Sequence, residues 1–242
     1  MLNFKRTVMG TALFITVLSL AAGQEGGSGR ELSVEESYLQ ESVELMIIRE
    51  SSRESNRDQK MIALDYIGKA IERGNTGEEV RSALEFLSME GVMSKAREAG
   101  RLVNNYPDVR REAAKYLGDL GTSEAKDTLI KICIADPEPM VLQEAVKSLG
   151  KIGINDNGET VAAIAWIVTR FDVLNPDNLL ALSAIDAFEK IAARNNGIKD
   201  PNAVRMLIRI SGGHYIRPVQ ERAKQVLEEL IKYNIQNENQ GR

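Results

Sequence analysis

The chain has 242 residues, 31 basic against 35 acidic side chains and a formal net charge of −4. That length allows one elongated array or one large domain, and the acidic balance argues against a nucleic-acid binder, which carries a basic footprint. The single cysteine, Cys133, has no partner for an internal disulfide and sits in an apolar helical run where a buried, inert thiol is expected.

At the N-terminus, Lys5 and Arg6 precede an apolar stretch from Thr11 to Ala22, followed by the small residues Ala21, Ala22 and Gly23. This order is that of a secretory signal peptide, here 1–23, and the stretch is short for a transmembrane helix, which needs about 20 apolar residues. The expectation is export, most simply to a periplasm, with cleavage near Gly23; an uncleaved N-terminal membrane anchor is the alternative. Residues 24–31 (QEGGSGRE) have a flexible-linker composition.

From Ser33 onward the chain reads as helix. Ser33 with Glu36 fits a capping box, opening a polar first helix over 34–54 that carries Leu39, Val43, Met46 and Ile47. It is expected to cap the end of an array, where a more polar outer face is needed. Five helix pairs are then predicted: 58–73 with 78–89, 93–104 with 108–120, 124–135 with 138–152, 159–171 with 177–193, and 202–210 with 219–233. The polar tail 234–242 is expected to fray.

The six prolines, at 107, 137, 139, 176, 201 and 218, all fall at predicted junctions, where a missing N–H costs least. Asn175-Pro176 and Asp200-Pro201 each read as an N-cap followed by proline at the first helical position. Gly74, Gly91, Gly121, Gly153 and Gly197 follow predicted helices, the position favoured for a left-handed cap. The apolar run 161–168 around Trp166 suggests a helix buried between neighbours.

The segments PDVRREAAKYLGDLG from Pro107 and PEPMVLQEAVKSLGKIG from Pro137 coincide at a shift of 32 residues, Val109 on Val141, Ala113 on Ala145, Leu117 on Leu149 and Gly118 on Gly150. Self-similarity at a period of about 20–50 residues marks a solenoid. Spacings of four put Val, Ala and Leu on one helix face. Later copies are Leu180, Ala184, Phe188 and Ile191, then Val219, Ala223, Leu227 and Leu230. Upstream, 80–91 (VRSALEFLSMEG) matches the pattern after a one-residue deletion.

The order Pro, acidic, x, Val, Arg, x, x, Ala, x, x, x, Leu, Gly, x, x, Gly resembles the HEAT repeat, and especially the short bacterial HEAT-like repeats named after phycobilin lyase subunits. The resemblance covers 58–233, strongest over 107–153, and implies an all-α, right-handed α-α superhelix over 32–233. It also implies a ladder of Asp and Arg between units, for which Asp136 and Arg110 are the best matches; Leu142 interrupts it. Finally, it implies that the second helix of each pair lines a concave face.

No catalytic constellation, cofactor fingerprint or metal-binding set emerges. His214 is the one histidine, in a Gly-rich turn without Cys partners and without a G-x-S-x-G nucleophile element. Asp156, Asn157 and Gly158 lack the remaining ligands of a calcium loop and read as a turn. On the second helices, equivalent exposed positions read Glu85, Lys115, Lys147, Asp186 and Gln225, then Met89, Asp119, Lys151, Lys190 and Glu229. With Arg111, this predicts a basic track of Arg111, Lys115, Lys147, Lys151 and Lys190 along the groove of an acidic protein, suited to an acidic segment of a protein partner. The expected function is a non-enzymatic exported scaffold or adaptor. A structural subunit of an envelope or motility assembly and an accessory subunit of an enzyme are the alternatives. Exposed apolar residues on the terminal helices would favour the structural subunit.

Overall fold

The structure is a computed structural model, described here for residues 33–172 and 176–240. The signal peptide and linker expected over 1–31 lie outside the described residues. Among the described residues ten helices and one short hairpin make up the array: α1 (Val34–Arg53), α2 (Arg57–Glu72), α3 (Glu78–Met89), β1 (Arg97–Glu98), β2 (Arg101–Leu102), α4 (Pro107–Leu120), α5 (Ser123–Ala135), α6 (Pro139–Ile152), α7 (Glu159–Asp172), α8 (Asn178–Asn195), α9 (Pro201–Gly212) and α10 (Arg217–Gln240).

The helices stack in two rows. First helices α1, α3, α5, α7 and α9 pack on their neighbours in one row, second helices α2, α4, α6, α8 and α10 in the other, and each pair packs across the rows. One continuous core runs between them, as an all-α solenoid requires. The pairing frame differs from the one predicted. Helix α1 does lie at the end of the stack, but it is also the first helix of the first pair, with α2. Helix α3 belongs to the first-helix row although its sequence matches the second-helix pattern.

The reason is the segment 93–104, predicted as a helix and found as a hairpin. Arg97 pairs with Leu102 and Glu98 with Arg101 across a two-residue turn, with Ala99 at φ 47° and Gly100 at φ 81°. Two consecutive left-handed residues are what a tight hairpin turn of this kind demands. The segment's apolar residues at helical spacing, Met93, Ala96, Ala99 and Val103, include two small alanines, and Gly100 in its interior disfavours a helix. Asn104 holds the insertion in place: its Oδ1 accepts from Ala96 N at 2.9 Å and its Nδ2 donates to Ser94 O at 2.7 Å. Gly91 (φ 77°) lets the chain leave α3, and a Cβ there would lie 2.4 Å from Asn104 O.

The repeat stripes form the core. Val109, Ala113 and Leu117, and Val141, Ala145 and Leu149, are at most 1 % exposed. Leu180, Ala184, Phe188 and Ile191 repeat this on α8, and Val219, Ala223 and Leu230 on α10, with Leu227 partly buried. Each fully buried Val, Leu, Ile or Phe contributes about 1.5–3 kcal/mol. Between second helices the backbones come close. A Cβ built on Gly118 would lie 2.6 Å from Ser148 Oγ, and one on Gly150 would lie 2.7 Å from Ala187 Cα.

Local signals mostly hold. Ser33 and Glu36 form the capping box, with Glu36 N donating to Ser33 Oγ and Ser33 N to Glu36 Oε2. Asp200 caps α9 with Pro201 in its first turn, and Pro107 and Pro139 open α4 and α6. Pro176 differs: the cap of α8 is Asp177, whose Oδ1 accepts from Leu179 N and Leu180 N, so the proline stands before it. Helix α10 runs through Gln240 instead of ending at Tyr233, since no Gly or Pro interrupts it before Gly241. Trp166 is 46 % exposed, against the expectation of burial. Helix α7 buries Val161, Ile164, Ile167 and Val168, and Trp166 falls on its outer side with Arg170 5.7 Å from its ring.

Candidate partner-binding face

Between neighbouring pairs the array holds two buried ion pairs. On α4, Arg110 is 1 % exposed. Its Nε donates to Asp136 Oδ2 at 2.6 Å, while Nη1 donates to Asn105 Oδ1 at 2.8 Å and to Glu90 O at 3.3 Å. Asp136 ends α5, and its Oδ1 also accepts from Glu138 N, so no buried polar group in the set is orphaned. One unit earlier Lys60, wholly buried on α2, reaches Glu90 Oε2 at 2.7 Å and Ser52 O at 3.1 Å. The two sites are equivalent: a basic residue on a second helix bonds the acid at the end of the next first helix and a carbonyl at the end of its own. The sequence pointed to Arg110 and Asp136 and missed Lys60 and Glu90, because the hairpin stretches the period there from 32 to 50 residues. At Leu142 the ladder stops, and Asp172 instead pairs with Arg209 on α9.

These charges are interior and structural. The exposed charges of interest lie on the second helices. Lys115 of α4, Lys147 and Lys151 of α6 and Lys190 of α8 converge on one open depression of about 370 Å³. Asp119, Glu144 and Asp186 share it, together with Ser148 and Ser183. Arg111 is exposed one turn before Lys115 and does not line the depression.

The predicted track is therefore not uniformly basic. Lys115 Nζ lies 2.5 Å from Glu112 Oε1 and 5.0 Å from the Tyr116 ring centroid. The Glu112 hydrogen bond holds this ammonium above its ordinary range. Lys147 lies 4.0 Å from Glu144, and Lys151 pairs with Asp119 of α4 across the inter-helix seam. Among the described residues Arg111 and Lys190 form no ion pair. Glu112 and Glu144 were overlooked in the sequence, yet each stands three residues before its lysine, a spacing that places both on one helix surface. Glu85 and Met89 drop out of the series of equivalent positions because α3 is a first helix. The equivalent second-helix positions are Asp65 and Lys69 on α2, which pair with each other at 2.7 Å.

Other candidates carry less chemistry. His214 is exposed in the α9–α10 turn. Cys133 is fully buried, and burial pushes its thiol up to about 12, which keeps it protonated and unreactive. Residues 155–158 form a turn in which Asn155 Oδ1 accepts from Val161 N. Among the described residues no group of three His, Cys, Asp or Glu side chains is placed to hold a metal, and no helix is long and apolar enough to cross a membrane. Another hollow, of about 780 Å³, lies between α1 and the α2–α3 turn, where Arg73 pairs with Glu44 and Asn75 Nδ2 donates to Glu41 Oε1. Gln40 Nε2 also donates to Glu44 Oε1 there, so much of its polar lining is paired internally.

No curated protein matches the chain. Residues 101–173, from β2 of the hairpin past the end of α7, match the family model for HEAT repeats, which makes the centre of this array similar to that family.

Proposed function

We propose that the chain is an exported, non-enzymatic scaffold that binds a protein partner on the face formed by its second helices. HEAT repeats commonly mediate protein interactions, and extended helix-lined surfaces are what solenoids offer a partner. The single observation that carries the reading is the convergence of Lys115, Lys147, Lys151 and Lys190, from three successive helices, on one depression. Rigid helices fix the spacing of those ammonium groups without help from a loop.

The pairs made by Lys115, Lys147 and Lys151 do not disable such a surface. Each lysine side chain is about half exposed, and exposed pairs contribute about 0–1 kcal/mol, so a partner carboxylate can displace the internal one. Among the described residues Arg111 and Lys190 have no ion-pair partner to displace. The ligand this favours is a polypeptide segment rich in acidic side chains, with some basic ones to meet the released Glu112, Asp119 and Glu144.

Crosslinking and pull-down of the full chain from its native envelope, compared with K115E/K147E/K151E, tests the reading. The expected result is loss of the captured partner with the helical circular-dichroism signal and melting midpoint retained. An unchanged set of captured proteins would sink it. Export is supported by the order of Lys5, Arg6, the apolar stretch and Gly23, and a mature chain beginning near Gln24 is the expected mass.

A further inference from the structure

We propose that the outer face of the first-helix row, over α5, α7 and α9, docks on an anionic phospholipid surface. The three helices present this face in register. Lys131, Trp166 and Arg205 each stand one residue before a buried pair (Ile132 and Cys133, Ile167 and Val168, Met206 and Leu207), and Ile134, Thr169 and Ile208 stand one residue after it. Ile134 and Ile208 are each 55 % exposed, more than Trp166. One turn on, exposed Arg170 and Arg209 follow Trp166 and Arg205. Beside the indole, between α7 and α9, Arg205 and Arg209 border an open hollow of about 400 Å³ that Ala165 and Met206 also line.

Charge selects an anionic occupant. Among the described residues Lys131, Arg170 and Arg205 form no ion pair; Arg170 instead stands over the rings of Trp166 and Phe171. Arg209 pairs with Asp172, whose side chain is 10 % exposed. The other carboxylates of the three helices gather at their N-terminal ends. They are Glu124, Asp127 at 3.2 Å from Lys126, Glu159 paired with the same lysine, and Asp200, which caps α9. Past the end of α5, Asp136 is buried against Arg110 and Glu138 is half-buried. On the next first helix, α3, Glu78, Glu79 and Glu85 outnumber Arg81, so the basic face stops at α5. The lysines of the second-helix row differ, since Lys115, Lys147 and Lys151 each have a carboxylate within 4.0 Å.

The pattern of the apolar tips favours a bilayer over an acidic protein segment. In the two registers, Lys131, Trp166, Arg205 and Ile134, Thr169, Ile208, apolar and polar residues alternate. The tips thus stand apart on helices whose axes lie about 8–10 Å from one another. A protein interface gathers its anchors into one packed centre. A headgroup layer instead admits each tip separately, takes tryptophan at its boundary and offers phosphodiesters to arginine forks. This face lies on the other helix row from the lysine-lined depression, and the inference stands independently of the partner proposed there.

Trp166 is the one tryptophan of the chain, so its emission reports on this face directly. The chain from Gln24 onward keeps the whole described core and omits the apolar stretch 11–22, which would insert by itself. With phosphatidylglycerol vesicles at low salt it is expected to sediment and to shift its emission to the blue. With phosphatidylcholine vesicles it should do neither, and high salt should release it from phosphatidylglycerol. Arg170→Gln/Arg205→Gln, at two exposed positions, should weaken sedimentation by about thirtyfold with helicity unchanged. Ile134→Ser/Ile208→Ser should weaken it while keeping the preference for phosphatidylglycerol. Four results overturn the proposal: no sedimentation with phosphatidylglycerol, equal sedimentation with both lipids, undiminished binding by Arg170→Gln/Arg205→Gln, or sedimentation with the emission unmoved. If polyglutamate shifts the emission and phosphatidylglycerol vesicles do not, the face takes an acidic protein segment and the proposal fails.

Discussion

In the centre of the array, α4, α6 and α8 approach through Gly118 and Gly150 until backbone or Cβ atoms of the next helix fill the space a side chain would take. At the N-terminal end the facing glycine, Gly68, is met first by the ring of Tyr116, and the units are joined by Lys60–Glu90; the next junction, where α3 and α4 meet α5 and α6, carries both kinds of joint, Arg110–Asp136 beside the Gly118 contact. The centre is held by close contact, which a single methyl group disturbs. The N-terminal units are held by buried charge, which contributes little net stability while paired but is costly to leave half-made. The two regions should therefore fail under different substitutions.

The sharpest break falls on the charged side. Arg110→Ala leaves the Asp136 carboxylate buried without its guanidinium, and a loss of about 3–5 kcal/mol is expected in chemical denaturation. A loss below about 1 kcal/mol would mean that water reaches Asp136 and that the charged joint is not interior. On the contact side, Gly150→Ala puts a Cβ 2.7 Å from the α8 backbone, and should cost about 1–3 kcal/mol as the helices part. Gly68→Ala meets Tyr116 Oη at 2.5 Å, but that ring is half-buried and its tip can swing outward, so the same substitution should cost clearly less. Equal costs at positions 68 and 150 would erase the distinction drawn between the two regions.

The same contrast explains what the sequence revealed. From Pro107 to Gly153 the repeat is written in small and branched residues whose spacing fixes both helix face and helix contact, and the stripes, caps and prolines there lie where expected. Upstream, the hairpin at 97–102 lengthens one period, so the pairing frame slipped and α3 was assigned to the wrong row. Lys60 was invisible as the counterpart of Arg110 for the same reason. The stripe Leu39, Val43 and Met46 was legible as a stripe, but periodicity does not say which face a terminal helix turns inward; Leu45 and Ile48, a third of a turn or more away, took that place. On the candidate face, the lysines were readable from the repeat. Their neutralisation by Glu112 and Glu144 was readable too, from the three-residue spacing. The cross-helix pair of Lys151 with Asp119 depends on the distance between α4 and α6, which only packing sets.

A further test compares the charged joints with respect to pH. Lys126 on α5, nearly buried, reaches Glu159 Oε1 on α7 at 2.5 Å, and this hydrogen bond holds the Glu159 carboxyl below its ordinary value of 4.5. A depressed carboxylate contributes stability that is fully present above the unfolded-state value and is lost as pH falls through the folded-state value. Glu159→Gln should therefore be less stable than the parent chain at neutral pH, and the two denaturation midpoints should converge as pH falls below about 4.5. Parallel curves across that range would remove Glu159 from the account of how α5 and α7 are joined.

The smallest effect belongs to the hairpin that sets the two regions apart. Ala99 occupies a left-handed position, which costs a non-glycine residue roughly 1–2 kcal/mol, less for asparagine, and Asn followed by Gly is the preferred pair in a turn with two positive φ angles. Ala99→Asn should accordingly stabilise the turn by under about 1 kcal/mol. Where that gain shows itself matters more than its size. The hairpin is exposed along 93–101 and tied to the array chiefly through Asn104, so it can open without unfolding the helices. The expected outcome is slower hydrogen exchange at the Val103 amide, which donates to Ala96 O at 3.0 Å, with the global melting midpoint unmoved. A raised midpoint would instead make the hairpin part of the cooperative unit, acting through Asn105 on Arg110, and the insertion would then be one of the contacts that hold the N-terminal units together.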